Sequence, residues 1–132
     1  MITARYDEES DLVRVRSEGF LTIGDVQRYG MEFRDAIQRA RHRTGCGKVL
    51  VESSEVVQSA DVVEAFVKLQ PLIDPDADRL AVMVSSSLRK MQVKRGLVSA
   101  NQQAFLSESA AMTWLFAREA ASISVQHGAA QD

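Results

Sequence analysis

A chain of 132 residues, 45% apolar and 26% charged, has the length of one ordinary domain and a composition that excludes intrinsic disorder. Its formal net charge of −2 supplies no overall field to gather polyanions, so nucleic acid is not an expected partner. A single cysteine, Cys46, excludes an internal disulfide and a cysteine-rich zinc site.

In chain order, Ile2 to Tyr6 and Leu12 to Ser17 flank Asp7-Glu8-Glu9-Ser10-Asp11, a polar turn of hairpin length. Val13 and Val15 alternate with Arg14 and Arg16, which leaves one face of the second strand wet. Thr22, with Asp25 three residues on, opens a helix as a variant capping box. Ile23, Val26, Gly30, Phe33, Ile37 and Ala40 recur at steps of three and four and form its core stripe. Gly30 is expected to permit close approach to the sheet. Arg39, Arg41, His42 and Arg43 crowd the helix end, where positive charge suits the macrodipole, and Gly45 and Gly47 stop it.

Lys48 to Val51 and Leu80 to Val84 are apolar without alternation and therefore read as central strands covered on both faces. Each runs into serines and then a helix. The first unit continues through Glu52-Ser53-Ser54 to a helix from Ala60, and the second through Ser85-Ser86-Ser87. Val62, Phe66, Leu69 and Ile73 form the stripe of the intervening helix, which Pro71 ends or kinks near Gln70. Ser87 to Gln102 is a third helix of poor periodicity, and Gln103 to Leu106 is a short strand. Ser107 starts a last helix carrying Met112, Trp114, Leu115 and Phe116.

The order is β-β-α-β-α-β-α-β-α. It defines an α/β domain over residues 1–121, with a mostly parallel five-stranded sheet, an N-terminal antiparallel hairpin and about four helices. Residues 122–132, rich in Ser, Ala and Gln, are expected to fray. The opening Met1-Ile2-Thr3-Ala4-Arg5 lacks the layout of a secretory signal, and the longest apolar run, Leu80 to Val84, falls far short of the roughly 20 residues of a membrane span. A cytoplasmic setting is the expectation.

The Gly19-Phe20-Leu21-Thr22 step, the Lys48-Val49-Leu50-Val51-Glu52 strand and the Ala111-Met112-Thr113-Trp114-Leu115 helix, in this order of elements, resemble the SpoIIAA-like family. These are small bacterial domains related in shape to the STAS domains of anti-sigma factor antagonists. The likeness spans roughly Ile2 to Phe116. It implies a STAS-type fold, and the wider group's similarity to Sec14-type lipid-binding domains implies an apolar ligand or a membrane contact. In the antagonists a serine in an Asp-Ser-Ser-Gly-like motif is phosphorylated. Val57-Gln58-Ser59-Ala60-Asp61 is the matching region, with Ser59 near the phosphoserine position and both the preceding Asp and the following Gly absent.

In open parallel sheets ligands bind beyond the carboxyl ends of the strands. Ser53, Ser54, Ser85, Ser86 and Ser87 stand there, before helix N-termini whose N–H groups suit an anion or carboxylate, and are the candidate ligand or partner residues. Their simpler role is to cap helices, and the same holds for Ser59, with phosphorylation as its second reading. Arg89, Lys90, Lys94 and Arg95 read first as solvated helix surface and second as a contact for head groups or an acidic partner. They lack the interleaved aromatics that would stack on nucleic acid bases. The weak periodicity of residues 87–102, with Leu69, Pro71 and Leu72 adjoining, points to a movable flap over an apolar groove.

Leu115 is expected in the core, with Trp114 and Phe116 either on flanking elements or in a homodimer contact. Cys46 sits between glycines with no base and orienting group to activate it. His42 and His127 are isolated, and Asp7/Glu8 and Asp74/Asp76 lie in turns, so neither a metal nor another cofactor nor an acid–base centre is expected. The expectation is a non-enzymatic binding module for a protein partner or a small apolar or anionic ligand, as a homodimer. The alternatives are a phospho-regulated interaction domain and a peripheral membrane domain. A closed apolar pocket of a few hundred cubic ångströms would favour the ligand, and a filled core with a large exposed patch the partner or membrane.

Overall fold

The first two strands, β1 (Ile2–Asp7) and β2 (Leu12–Ser17), pair antiparallel with Ile2 opposite Ser17 and Asp7 opposite Leu12. The computed structural model describes residues 1–53, 56–96 and 100–127. Asp11 closes the hairpin turn at φ 54, a left-handed conformation that Asp tolerates better than most side chains. Its carboxylate is also used, accepting from the Tyr6 hydroxyl at 2.8 Å.

Helix α1 (Ile23–Thr44) starts on the expected capping box: Asp25 N–H donates to Thr22 Oγ1 at 3.1 Å, and Thr22 N–H donates to Asp25 Oδ2 at 2.8 Å. Hydrogen bonds to its carboxyl from the Thr22 backbone, and after it from the Thr22 side chain, hold Asp25 below the usual carboxylate range. The helix ends at Gly45, left-handed with φ 85, whose N–H donates to the Arg41 carbonyl at 2.7 Å. Val26, Tyr29, Phe33, Ala36, Ile37 and Ala40 are its buried face. Two details depart from the stripe read in the sequence. Ile23, at the first helical position, is 45% exposed because it precedes the turn on which Val26 meets the core. Gly30 admits a side chain rather than the sheet: a Cβ there would lie 2.9 Å from Leu69 Cδ2.

Strand β3 (Lys48–Ser53) lies in the middle of a five-stranded sheet ordered β1-β2-β3-β4-β5, where β4 is Arg79–Met83 and β5 is Gln102–Phe105. All pairings but the first are parallel. Val49 stands opposite Leu80 and Val51 opposite Val82, so the two unalternating strands are interior neighbours whose carboxyl ends share one rim. Between them come α2 (Ala60–Val67) and a 3-10 turn at Gln70–Leu72 that accommodates Pro71. Helix α3 (Ser87–Gly96) is shorter than the periodicity allowed, and the edge strand begins one residue earlier than expected. Helix α4 (Glu108–His127) carries its helical backbone into part of the stretch read as a fraying tail.

Why the central strands lack alternation is now plain. Val49 packs with Val13, Val15, Phe33, Ile37 and Leu80 under α1 and α2, whereas Leu50 packs with Leu12, Ala81, Ala111 and Leu115 under α4. Trp114 and Phe116 find partners within the chain. The Trp114 ring meets Phe105 at 5.5 Å and the Arg79 guanidinium at 5.0 Å, and Phe116 lies 5.0 Å from Lys48 Nζ.

At the amino ends of the strands, buried charges are tied down. Asp78, fully buried, receives a bidentate hydrogen bond from the Arg41 guanidinium and accepts from the Gly47 N–H and the Asp74 N–H, each at 2.7 Å. Arg41 also donates to the Leu72 carbonyl at 2.7 Å, which ties α1 to the 3-10 turn. The Asp78 carboxylate holds the Arg41 pKa above its ordinary value. Lys48, 2% exposed at the start of β3, donates to Asp11 at 2.8 Å.

Candidate functional site

The opposite end of the sheet is built differently. A cavity of about 300 Å³ lies between the sheet and helices α1 and α2. Its floor is the inward face of β2, β3 and β4, with Val15, Val51, Leu80 and Val82. Alternation explains why these residues share a face, since they stand two apart on each strand and Val51 is in register with both Val15 and Val82. Its roof is aromatic: Tyr29 and Phe33 from α1 and Phe66 from α2, the Tyr29 ring 5.7 Å from Phe33 and 5.9 Å from Phe66. At the far end Gln102 donates from Nε2 to Gln70 Oε1 at 2.9 Å.

Polar groups gather toward the carboxyl rim. Ser17 ends β2, Ser53 ends β3, and Gln58 and Arg89 come from the following connection and from α3. Gln58 staples two loops together: it accepts from the Leu21 N–H and donates to the Gly19 carbonyl, each at 2.9 Å. Arg89 is half-buried and is the only charged side chain lining the cavity among the described residues, and no carboxylate pairs with it there. The Tyr29 hydroxyl is a second unusual group. Tyr29 is 8% exposed, no hydrogen bond reaches its hydroxyl among the described residues, and burial alone pushes its pKa well above the ordinary tyrosine value.

The serines read in the sequence divide. Ser53 is exposed and lines the cavity mouth. Ser85, Ser86 and Ser87 are exposed on the same rim and do not line it. Ser86 instead starts α3, accepting from the Arg89 N–H on its Oγ at 3.1 Å and from the Lys90 N–H on its carbonyl at 2.9 Å. Ser54 lies outside the described residues, as does the Arg95 side chain. Ser59 is the N-cap of α2, its hydroxyl accepting from the Val62 N–H at 3.4 Å.

Of the basic group on α3, Arg89 turns to the cavity, while Lys90 and Lys94 line a second, separate pocket of about 400 Å³ beside β5 with Gln103 and Phe105. Leu88 and Met91, 67% and 59% exposed, explain the poor periodicity of that helix, which offers little apolar surface to the core.

Nothing in the sequence marks Tyr29 as a site residue, and Phe66 stands only in a packing stripe, whereas Leu69 is expected beside an apolar groove. One signal for the cavity was present: Ser17 follows Val13 and Val15 at steps of two, so a polar residue occupies a core-facing position. The aromatic roof had none, because a cavity and a filled core share the same apolar stripe.

Among the described residues no group of three His, Cys, Asp or Glu side chains could hold a metal ion, and no helix is long and apolar enough to cross a membrane. In comparisons with protein-family models, curated proteins and solved structures, none matches this chain.

Proposed function

We propose that this chain is a SpoIIAA-like, STAS-type binding module of the cytoplasm, non-enzymatic, that takes a small apolar ligand between its sheet and helices α1 and α2. The observation that carries the reading is the apolar cavity of about 300 Å³ opening at the carboxyl ends of β2 and β3. Its size falls at the lower end of the range for small-molecule sites, and its lining follows their pattern, mostly apolar with a few polar groups at its two ends. The position agrees with the rule that ligands of parallel sheets sit beyond strand carboxyl ends. The order of elements and the central placement of β3 support the family reading.

Native mass spectrometry of freshly purified protein tests the ligand and the expected homodimer together. The expected result is a small molecule bound to the native protein and lost from a Val51→Phe variant, whose ring would fill the cavity. A variant that retained the same adduct, or a cavity that took up no apolar probe, would sink the reading.

A second reading, peripheral contact with a membrane, draws on exposed apolar residues around the same rim. Phe20 and Val57, 79% and 80% exposed, stand on the two loops that Gln58 joins, and Leu88 and Met91 flank Lys90. Sedimentation with anionic vesicles, weakened in a Phe20→Ser, Leu88→Ser double variant, is its expected signature.

A further inference from the structure

We infer that the ligand is a single-chain amphiphile with an anionic head group, its apolar body in the cavity and its head held by Arg89 at the mouth. The inference rests on the cavity reading and adds a charge and an orientation to it. Two observations define the polarity of the site. The middle of the cavity is aromatic and aliphatic, its far end is closed by the Gln70 and Gln102 amides, which bond to each other, and Ser53, Gln58 and Arg89 mark its outer end. Among the described lining residues there is one cation and no anion. A half-buried guanidinium without a carboxylate partner among the described residues presents donors in a planar fork that suits a carboxylate or a phosphate. The Gln58 amide is already used to staple the Gly19 and Leu21 loop, and of the polar groups at this end Arg89 is the one that carries a charge to choose the head.

The volume limits the body. A cavity of about 300 Å³ stands at the lower end of the range for small-molecule sites, which suits a medium-length chain and not a long-chain diacyl lipid.

Calorimetric titration with octanoate, 1-octanol and octylamine, matched in tail and differing in head, tests this on the wild type, Arg89→Gln and Val51→Phe. Octanoate is expected to bind wild type about ten- to a hundredfold more tightly than octanol, the range for a charge-assisted hydrogen bond. Arg89→Gln should bring the two within about threefold of one another, and octylamine should bind wild type most weakly. Equal binding of octanoate and octanol by wild type, or a preference that survives Arg89→Gln, would overturn the head-group assignment and leave the cavity reading standing. Failure of all three probes to bind, or equal binding to Val51→Phe, would remove both. Circular dichroism of each variant separates a lost site from a lost fold.

Discussion

The two ends of the parallel sheet solve opposite problems with neighbouring stretches of chain. At the amino ends, Asp78 is fully buried and every donor around it is aimed inward, from Arg41, Gly47 and Asp74. Packing there is tight enough that a Cβ on Gly47 would meet Ile37 Cδ1 at 2.5 Å and Asp78 Oδ1 at 2.9 Å. At the carboxyl ends the same helices and strands diverge around a cavity, and Arg89 and the Tyr29 hydroxyl are left without partners among the described residues. A buried ion pair adds little net stability against an apolar replacement, but it fixes register, because removing one partner strands the other. The contrast is between an end where buried charges are paired and packing is tight and an end where the same elements leave a cavity.

The sharpest way to break that comparison is Asp78→Ala. Removal of the acceptor shared by Arg41, Gly47 and Asp74 is expected to cost about 3–5 kcal/mol in urea denaturation, whereas Ser53→Ala at the open rim should stay within about 0.5 kcal/mol. A similar cost at both ends would mean that the amino end is not the anchor. A methyl group added at each end sharpens the same point. Gly47→Ala should lose about 1–3 kcal/mol through overpacking against Ile37 and Asp78, while Val82→Ile, which extends into the cavity, should be neutral or stabilise by up to about 1 kcal/mol.

Next in size is a pH effect. Burial raises the Tyr29 pKa in the folded state, so the unfolded chain loses that proton first, near the ordinary value of 10.0. Stability from this residue is therefore intact below pH 10.0 and falls as pH rises above it, by up to about 1.4 kcal/mol per pH unit until the folded group ionises. Tyr29→Phe should flatten this alkaline limb and change stability little at neutral pH, as read by urea titrations at several pH values. Tyr6, raised in the same direction by burial and by its bond to Asp11, is present in both proteins and cancels in the difference. The smallest expected effect is Ser59→Ala, about 0.5–1 kcal/mol for a lost N-cap. Kinase labelling abolished by the substitution would favour the phospho-regulated reading of that serine.

Much of the architecture was legible in residue order. The Thr22 and Asp25 pair marked a helix start, and Val49 to Val51 and Leu80 to Val84 carried enough uninterrupted apolar character to be placed in the interior side by side. The site was legible only in outline. The rim could be located from Ser53 and Ser85 to Ser87, but not which of those serines would face inward, since Ser86 is drawn into capping α3 and only Ser53 of the described ones meets the cavity. The charged locks escaped altogether. Arg41 looked like one of four basic residues at a helix end, and Asp78 is thirty-seven positions away from it.

Local pattern alone, then, determined the succession of elements, because periodicity and capping are properties of neighbouring residues and need no knowledge of the rest of the chain. Only the tertiary structure decided that Tyr29, Phe66 and Val82 surround a space instead of filling it, and that Arg41 meets Asp78 while Arg89 meets no carboxylate among the described residues. Such outcomes depend on how far apart whole helices and strands come to rest, a distance set by the sum of all their contacts and written in no short stretch of sequence.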